Sequence, residues 1–520
     1  MIIFMKYLRN SKIKGLIQFF IIVGCCTSSI AQEKIPSFIK DSLDVYIERS
    51  MKDNQIPGVS VAIIKDGKII VLKGYGVTEL GGQQKVDENT LFIIGSNTKA
   101  FTATALSILD TEKKLSLDDK VKKWLPDFTL YDPWVANEAN IRDLLCHRLG
   151  FETFQGDFMF FDSDLSTAEV REKFGKVKPM HSFRSTWGYT NAAFLTAGEI
   201  IPKVTNQTWA DYIRVRILKP LGMTNTLMLS EEILKENNKA TAHTVYNGRL
   251  MKIPYGHIDN IAPAGSMSSS VSDMSKWVLA QLDDGKKDGK EVIPAKAIAQ
   301  TRVPHSILGN GGHLYNKAHF ALYGLGWFME EYSGRKIVSH TGGVNGFVTS
   351  VALVPEEKLG IVVLTNTDAN NFYEALRYEI MDAFLGLPYR NYSQVYVNYQ
   401  QQQEAAAEKE INAKRDTIAT KPKPALPLEA FTGNYTHEVY GNMNMTMEHN
   451  ALIMRFEHHK GRYGKLEALG GNRFLCTYSE PLYGIKVLEF TIADGKVKSL
   501  TVRVADFVEY TPYEFKKINP

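Results

Sequence analysis

A change in composition between residues 400 and 427 constrains the fold of this chain more than any other feature. Residues 400–414 consist mainly of Gln, Glu, Ala and Lys, and the run Lys421-Pro-Lys-Pro-Ala-Leu-Pro427 follows them. Proline-rich runs form stiff, extended spacers. The sequence therefore predicts two folding units, joined by a helical and proline-rich linker over residues 389–427.

The first unit mixes helical segments with short β-rich runs. The runs at 59–64 and 69–74 are separated by Lys65-Asp-Gly-Lys68, and Asp-Gly supplies the positive φ angles of a tight hairpin turn. Further strands are predicted at 325–330, 336–340, 348–354 and 360–365. Helices are predicted at 36–54, from Ser96 onward and at 371–385. This order predicts an α+β fold, with an antiparallel sheet flanked by helices.

Four more helices are predicted between the two groups of strands. Residues 141–150 form a short helix that Gly150 ends, and residues 273–282 form a helix with Ser272 as its N-cap. The others cover residues 192–201 and 209–218.

The second unit, residues 428–520, has the pattern of a β domain. Polar and apolar side chains alternate at 443–447, 488–492 and 500–504. Short strands separated by turns over such a length predict a small β-barrel or sandwich.

Residues 1–31 have the three-part layout of a secretory signal peptide. Basic residues come first, an apolar run at 16–24 follows, and small residues continue to Ala31. Cleavage before Gln32 is one expectation. The other is that Ile22-Val-Gly-Cys25, which resembles a bacterial lipobox, leaves Cys25 lipidated and the protein membrane-anchored. Both predict export to the periplasm or the cell surface.

Charge and cysteine content exclude several classes of function. A formal net charge of +4 over 520 residues indicates neither nucleic acid nor an acidic polymer as a partner. Cys146 and Cys476 fall in different predicted units, so no disulfide is expected between them. Without a Cys-x-x-Cys pair the sequence offers no thiolate zinc site. His313, His319, His458 and His459 lack a supporting carboxylate or cysteine pattern, and no metal or other cofactor is predicted.

Ser96-Asn-Thr-Lys99 begins a predicted helix and carries the first sign of chemistry. One helical turn separates the two side chains, so the amine and the hydroxyl lie on the same face. A serine hydroxyl needs a base to become a nucleophile. A lysine can act as that base when burial lowers its pKa.

Two other segments supply what acyl transfer still requires. Tyr189-Thr-Asn191 offers a phenol that can relay a proton and an amide that can hold the lysine. His340-Thr-Gly-Gly343 ends a predicted strand with small residues, against which a substrate can lie. Together the three segments provide a nucleophile, a base, a proton donor and oxyanion donors.

With these motifs the chain resembles the serine β-lactamase and penicillin-binding-protein superfamily, in particular its class C β-lactamase, D-aminopeptidase, D,D-carboxypeptidase and esterase branch. The signatures Ser-x-x-Lys, Tyr-x-Asn and Lys/His-x-Gly occur here in that order. The resemblance covers residues 36–388, and 428–520 resembles the lipocalin-like module often appended to such hydrolases. Supporting matches are Leu144-Leu-Cys-His-Arg-Leu-Gly150, Pro220-Leu-Gly-Met223 and Pro263-Ala-Gly-Ser-Met267.

The resemblance implies an all-helical subdomain beside the sheet and a role for each matched residue. Ser96 would form an acyl-enzyme, and Lys99 and Tyr189 would share the proton transfers. Asn191 would orient Lys99 and the substrate amide. The N–H groups of Ser96 and Gly343 would form the oxyanion hole.

His340 is expected to complete the catalytic set, with Thr341 and Gly342 as substrate contacts. β-Lactamases of this type usually carry lysine where this chain has His340, and histidine is mostly neutral near pH 7. This difference favours peptides, D-amino-acid amides or small esters as substrates. Arg148 or Arg184 is a candidate for the missing positive charge.

Several alternatives stay open at this stage. A β-lactamase or D,D-carboxypeptidase would use the same chemistry, and a non-catalytic ligand-trapping protein would keep the pocket without turnover. The C-terminal unit is a ligand cup, an active-site lid or a dimer contact. The helix at 400–414 is a solvated spacer or an oligomerisation element.

Overall fold

The structure, a computed structural model, describes residues 35–316 and 318–518. The predicted leader at 1–31 lies outside these residues. Among the helices that the structure describes, none is long and apolar enough to cross a bilayer.

The strands of the first unit are β1 Gly58–Lys65, β2 Lys68–Gly76, β3 Phe92–Ile93, β4 His243–Tyr246, β5 Arg249–Lys252, β6 Ser268–Ser269, β7 Lys286–Lys287, β8 Lys290–Glu291, β9 Ser306–Gly309, β10 Ala321–Tyr323, β11 Phe328–Tyr332, β12 Arg335–Val344, β13 Phe347–Val354 and β14 Leu359–Thr365. The helices are α1 Leu43–Asp53, α2 Thr98–Thr111, α3 Val121–Trp124, α4 Pro133–Glu138, α5 Ile141–Leu145, α6 Thr167–Phe174, α7 Asn191–Thr205, α8 Trp209–Ile213, α9 Lys219–Leu221, α10 Ala262–Gly265, α11 Val271–Leu282, α12 Ala295–Thr301, α13 Phe372–Phe384 and α14 Tyr392–Ala419.

An antiparallel sheet of eight strands, in the order β2-β1-β14-β13-β12-β11-β10-β9, forms the centre of the first unit. Its middle strands are buried on both faces, because helices cover both sides. Val61 and Ile63 of β1 face a cluster that contains α1 and α13. The alternate residues Ala62 and Ile64 face the larger cluster that contains α2 and α11. The predicted α+β sheet flanked by helices is confirmed.

Three predicted boundaries are wrong, two of them because a residue with positive φ turns the chain. The helix at 141 ends at Leu145 rather than at Gly150, because His147 leaves it with φ at +58°. The strand predicted from 325 begins at Phe328, because Gly326 at φ +73° turns the chain between β10 and β11.

The third wrong boundary is the start of α11. Its N-cap is Ser270, whose hydroxyl accepts a hydrogen bond from the Asp273 amide at 3.3 Å. The predicted cap, Ser272, already lies inside the helix, and its own amide donates to the carbonyl of Glu88.

The second unit is a closed eight-stranded antiparallel barrel, so the sandwich alternative is wrong. Its strands are β15 Gly433–His437, β16 Gly441–Glu448, β17 Ala451–Phe456, β18 Gly464–Gly470, β19 Arg473–Tyr478, β20 Ile485–Ala493, β21 Lys496–Val502 and β22 Tyr513–Lys517. Pairing of β15 with β22 closes the ring. Apolar side chains such as Phe474 and Phe490 fill the interior. Cys146 and Cys476 are both buried and free.

The helix α14 leads from the first unit to the barrel. Its first turns are anchored by buried Tyr392 and Val397, and most of its remaining length is exposed. Tyr392 donates a hydrogen bond to Asp382 of α13 at 2.8 Å. The helix is therefore anchored through its first turns and largely solvated beyond them.

Phe158 fastens the barrel to the first unit. It lies in a 3₁₀ turn, Asp157–Met159, and its ring is fully buried. The ring stacks on His459 with centroids 4.2 Å apart. It also contacts four other aromatic rings of the barrel unit, those of Tyr440, Phe456, Tyr483 and Tyr513. The Phe158 side chain of the first unit thus packs inside an aromatic cluster of the second unit.

Replacing Phe158 by alanine should lower the free energy of unfolding by about 3–5 kcal/mol, because the substitution leaves a cavity in a packed aromatic cluster. Urea denaturation measures the change. Phe320→Ala is the control, since the Phe320 side chain is 61% exposed and should change stability by no more than about 0.5 kcal/mol. Equal effects of the two substitutions would show that Phe158 does not hold the units together.

Candidate active site

Ser96 stands in a tight turn between β3 and α2. The turn is a 3₁₀ segment, Gly95–Asn97, and Gly95 has φ at +54°. A Cβ atom on Gly95 would lie 2.9 Å from the Gly343 amide nitrogen, so the turn and β12 can approach this closely only with glycine. Ser96 consequently lies at the N-terminal end of α2, beside the strand that carries Gly343.

Lys99, the second residue of α2, is fully buried, and three oxygen atoms surround its amine. Nζ lies 3.0 Å from Ser96 Oγ, 2.6 Å from Asn191 Oδ1 and 2.9 Å from the Ala264 carbonyl oxygen. Burial holds the pKa of Lys99 well below its ordinary value of 10.5, although Asp157 acts in the opposite direction. The environment therefore favours the neutral amine.

The three contacts of a neutral Lys99 assign its hydrogen atoms. An amide oxygen and a backbone carbonyl only accept, so Asn191 and Ala264 take the two N–H donors. The lone pair that remains faces the Ser96 hydroxyl, which can donate to it. This is the arrangement of a nucleophile and its general base.

Tyr189 lies immediately before α7, against the same amine. Lys99 Nζ is 4.6 Å from the centre of its ring. The Tyr189 hydroxyl is buried and makes no hydrogen bond to the part of the chain that the structure describes. Burial raises the pKa of Tyr189, and the nearby Ser96 hydroxyl offsets part of that rise. Tyr189 is therefore a neutral phenol with its hydroxyl available.

His340 is a buried, neutral side chain whose two ring nitrogens are both occupied. Nδ1 lies 2.6 Å from the Thr341 carbonyl, which only accepts, so Nδ1 carries the proton. Nε2 then accepts from the Tyr323 hydroxyl at 3.1 Å. Burial lowers the pKa of His340 to about 3. This residue supplies no positive charge near neutral pH.

Of the two glycines after Thr341, Gly342 is the one that lets β12 pass close to its neighbours. A Cβ atom on Gly342 would stand 1.9 Å from the Ile94 carbonyl oxygen. On Gly343 it would touch the Phe507 ring at 3.4 Å. Thr341 and Gly343 line the cavity above Ser96, whereas Gly342 packs against the turn that leads to it.

A cavity of about 440 Å³ opens over Ser96. The predicted residues Ser96, Tyr189, Asn191, His340 and Thr341 all line it. Most of its other walls are aromatic or aliphatic: Phe154, Phe160, Phe161, Trp187, Ile258, Ile261, Phe328 and Val344. Among the described residues that line it, none is lysine or arginine.

Arg148 and Arg184 do not supply the missing charge, so that interpretation is wrong. Both guanidinium groups pair with Asp143, a fully buried carboxylate, at 2.5 and 2.7 Å. Neither arginine lines the cavity. Within residues 35–316 and 318–518, no group of three or more His, Cys, Asp or Glu side chains could hold a metal ion.

The barrel contributes one wall of the cavity, through Phe507, Val508 and Tyr510. These residues lie in the segment between β21 and β22. The Tyr510 ring packs on Phe154, with centroids 5.4 Å apart. The alternating strand pattern of the second unit gives no sign of this contact.

Two buried carboxyl groups at the site also escape sequence reasoning. Asp157 lines the cavity and accepts a hydrogen bond from Asn191 Nδ2 at 2.6 Å. Glu509, from the barrel, accepts from the backbone on either side of Asp157. Burial raises the pKa of Asp157 well above its ordinary value, and raises that of Glu509 to about 7. No local motif marks either residue.

A third residue, His147, lies behind Tyr189 with the ring centroids 4.4 Å apart. Its Nδ1 accepts from the Thr190 amide at 3.0 Å, which fixes the backbone between Tyr189 and Asn191. Burial lowers the pKa of His147 well below its ordinary value. In the sequence, the sign that His147 belongs to the site is its position in the Leu144–Gly150 stretch, which supports the resemblance to the superfamily.

Comparison with known proteins identifies the same group of hydrolases. The family model described as Beta-lactamase matches residues 43–385. The chain belongs to the beta-lactamase family. This membership confirms the resemblance inferred from the three motifs. A model described as a domain of unknown function, DUF3471, matches residues 418–517.

The relatives of this protein include proteins named as hydrolases. It is 29% identical over 432 residues to "Unguisins hydrolase ungD'" of Aspergillus campestris, covering 78% of each chain. It is 28% identical over 346 residues to "Protein flp" of Staphylococcus aureus (strain MRSA252), covering 64% of this chain and 63% of that one.

Solved structures share the fold. The octameric penicillin-binding protein homologue from Pyrococcus abyssi aligns with a TM-score of 0.58 at 20% identity, over 91% of this chain and 99% of that one. SurE aligns with a TM-score of 0.55 at 18% identity, over 92% of this chain and 99% of that one.

If Lys99 is the base, the rate constant for nucleophilic attack by the Ser96 hydroxyl should rise with pH as the amine loses its proton. Because burial lowers that pKa, the plateau should be reached well below pH 10.5. A pH–rate profile of labelling by a fluorophosphonate measures it. Lys99→Ala should reduce the plateau rate by about 10²–10⁴-fold. A near-wild-type rate in Lys99→Ala would identify another base.

Proposed function

We propose that this protein is an exported serine hydrolase that forms an acyl-enzyme at Ser96 and acts on apolar peptides, D-amino-acid amides or small esters. Membership of the beta-lactamase family and a relative named as a hydrolase support the general activity. The observation that carries the mechanism is the 3.0 Å contact between Ser96 Oγ and a buried Lys99 amine whose two N–H donors are already taken.

In the proposed reaction, Ser96 Oγ attacks the substrate carbonyl carbon while Lys99 Nζ takes the hydroxyl proton. The N–H groups of Ser96 and Gly343 stabilise the oxyanion. The intermediate collapses as the leaving group departs with a proton from Tyr189, which regains one from Lys99. Water then releases the acyl group by the reverse proton transfers. Asn191 and the Ala264 carbonyl hold the amine throughout.

The cavity supports acyl donors without a free carboxylate near the scissile bond. Its walls are mainly aromatic and aliphatic, and its described lining contains no lysine or arginine. His340 is neutral, and both of its nitrogens already have partners. Burying an unpaired carboxylate in such a cavity is costly. Apolar groups, in contrast, gain free energy by leaving water.

A fluorophosphonate should label the mature protein at Ser96, and peptide mass spectrometry locates the adduct. Ser96→Ala should lose both labelling and hydrolysis while the thermal melting temperature changes little, because it removes only one partly buried oxygen atom. Hydrolysis that survives in Ser96→Ala would refute the proposal. A folded wild-type protein without an adduct would favour the ligand-trapping alternative.

A β-lactamase or D,D-carboxypeptidase is the second candidate, supported by the family match. Two esters that differ by one carboxylate beside the scissile bond separate the two functions. We expect kcat/KM to be about 10-fold or more higher for the neutral ester, because the cavity offers the carboxylate no cation. Preference for the carboxylate, together with rapid turnover of a chromogenic cephalosporin, would favour the second candidate.

The leader supports the proposal of export to the periplasm or the cell surface. The first residue of the mature protein distinguishes its two forms: Gln32 after signal cleavage, or a lipidated Cys25 in a membrane-anchored lipoprotein.

A further inference from the structure

Glu509 of the barrel accepts hydrogen bonds from the backbone of the first unit beside the active site. One carboxylate oxygen accepts from the Gly156 amide at 2.8 Å, and the other accepts from the Phe158 amide at 3.1 Å. The Tyr440 and Thr511 hydroxyls also donate to Glu509, at 2.7 and 2.6 Å. Four donors thus surround a fully buried side chain, and two of them belong to one turn of the neighbouring unit.

Asp157 lies between the two residues whose amides Glu509 binds. A series of hydrogen bonds leads from Asp157 to the proposed nucleophile, Ser96. Asp157 Oδ2 accepts from Asn191 Nδ2 at 2.6 Å. Asn191 Oδ1 accepts from Lys99 Nζ at 2.6 Å, and Nζ lies 3.0 Å from Ser96 Oγ. Asp157 therefore fixes which end of the Asn191 amide faces the lysine. With the amide reversed, an NH₂ group would face Lys99, and the amine would lose an acceptor.

From this chain of contacts we propose that Glu509 is a positioning residue for catalysis, which acts through Asp157 and Asn191 on the Lys99 amine. The barrel is then a working part of the active site and not only an attached module. The inference rests on the proposed function of Ser96 and Lys99. It adds that the competence of the base depends on a carboxylate of the other folding unit.

A purely adhesive role for Glu509 is the alternative, and the geometry separates the two. Phe158 already supplies a buried aromatic contact between the units. Glu509 instead binds the backbone N–H groups of the two residues on either side of Asp157, which is where control of the Asp157 side chain requires a contact. A displacement of about 1 Å in a supporting group can reduce a rate about 100-fold.

The test measures fluorophosphonate labelling of Ser96 in the full-length protein, with the limiting rate constant kinact and the half-saturating concentration KI determined separately. Glu509→Gln leaves one oxygen and one NH₂ group, so one backbone amide loses its acceptor. We expect kinact to fall about 10- to 100-fold while KI changes less than about twofold. Unchanged kinact in a folded Glu509→Gln protein would overturn the inference.

Two tyrosines provide a matched pair in case Glu509→Gln does not fold. The rings of Tyr440 and Tyr513 stack with centroids 4.0 Å apart, and both hydroxyls are buried. The Tyr440 hydroxyl donates to Glu509, whereas that of Tyr513 makes no hydrogen bond within the described residues. Tyr440→Phe should lower kinact at least about threefold and Tyr513→Phe should not. Equal kinact values in the two variants would contradict the inference.

A conservative substitution of Asp157 tests the next contact in this series of hydrogen bonds, the one between Asp157 and Asn191. Asp157→Ala removes the acceptor for Asn191, whereas Asp157→Asn can keep an oxygen there. We expect kinact to be at least about threefold higher in Asp157→Asn than in Asp157→Ala. Equal values would overturn the proposed route through Asn191. If wild-type Ser96 takes no label at all, the proposed function itself fails, which is a separate outcome from these.

Discussion

The site depends on one desolvated amine. Lys99 is buried without a carboxylate in contact, and two acceptors that cannot donate fix its N–H groups. Water would return this amine to its charged form, so the surrounding elements must exclude water as well as hold the geometry. Asn191 and Phe194 of α7 and Ala264 of α10 surround the amine, and the barrel closes one wall of the cavity over Ser96. The hydrophobic packing around Lys99 thus helps to keep its amine neutral.

Close backbone approach is the second requirement. Gly95 and Gly342 allow the turn of Ser96 and the strand β12 to lie nearer than side chains would permit. The Gly343 amide thereby comes beside the turn that carries Ser96. His340, on the same strand, replaces the lysine usual in β-lactamases by a neutral ring tied to Tyr323 and to its own backbone. The strand consequently offers shape and hydrogen bonds without positive charge.

Sequence reasoning found what local patterns encode. The central strands, α2 and α13 follow from periodicity, and Ser96, Lys99, Tyr189, Asn191 and His340 follow from motifs. The structure brings these five residues together. Helix ends were less predictable, because several serines near α11 could cap it and tertiary packing selects Ser270. Phe158, Tyr510 and Glu509 were not predictable, since contacts between segments far apart in the sequence leave no local pattern in either.

The division of the cavity between Ser96 and the segment that carries Tyr510 has a consequence for biosynthesis. The two parts are separated by more than 400 positions, so the first unit can emerge and fold before its last wall exists. Until the barrel docks, the Asp157 turn lacks its Glu509 contacts. The protein would therefore gain its hydrolytic competence late in maturation, as an intramolecular assembly step, with α14 as the tether that sets the local concentration of the barrel.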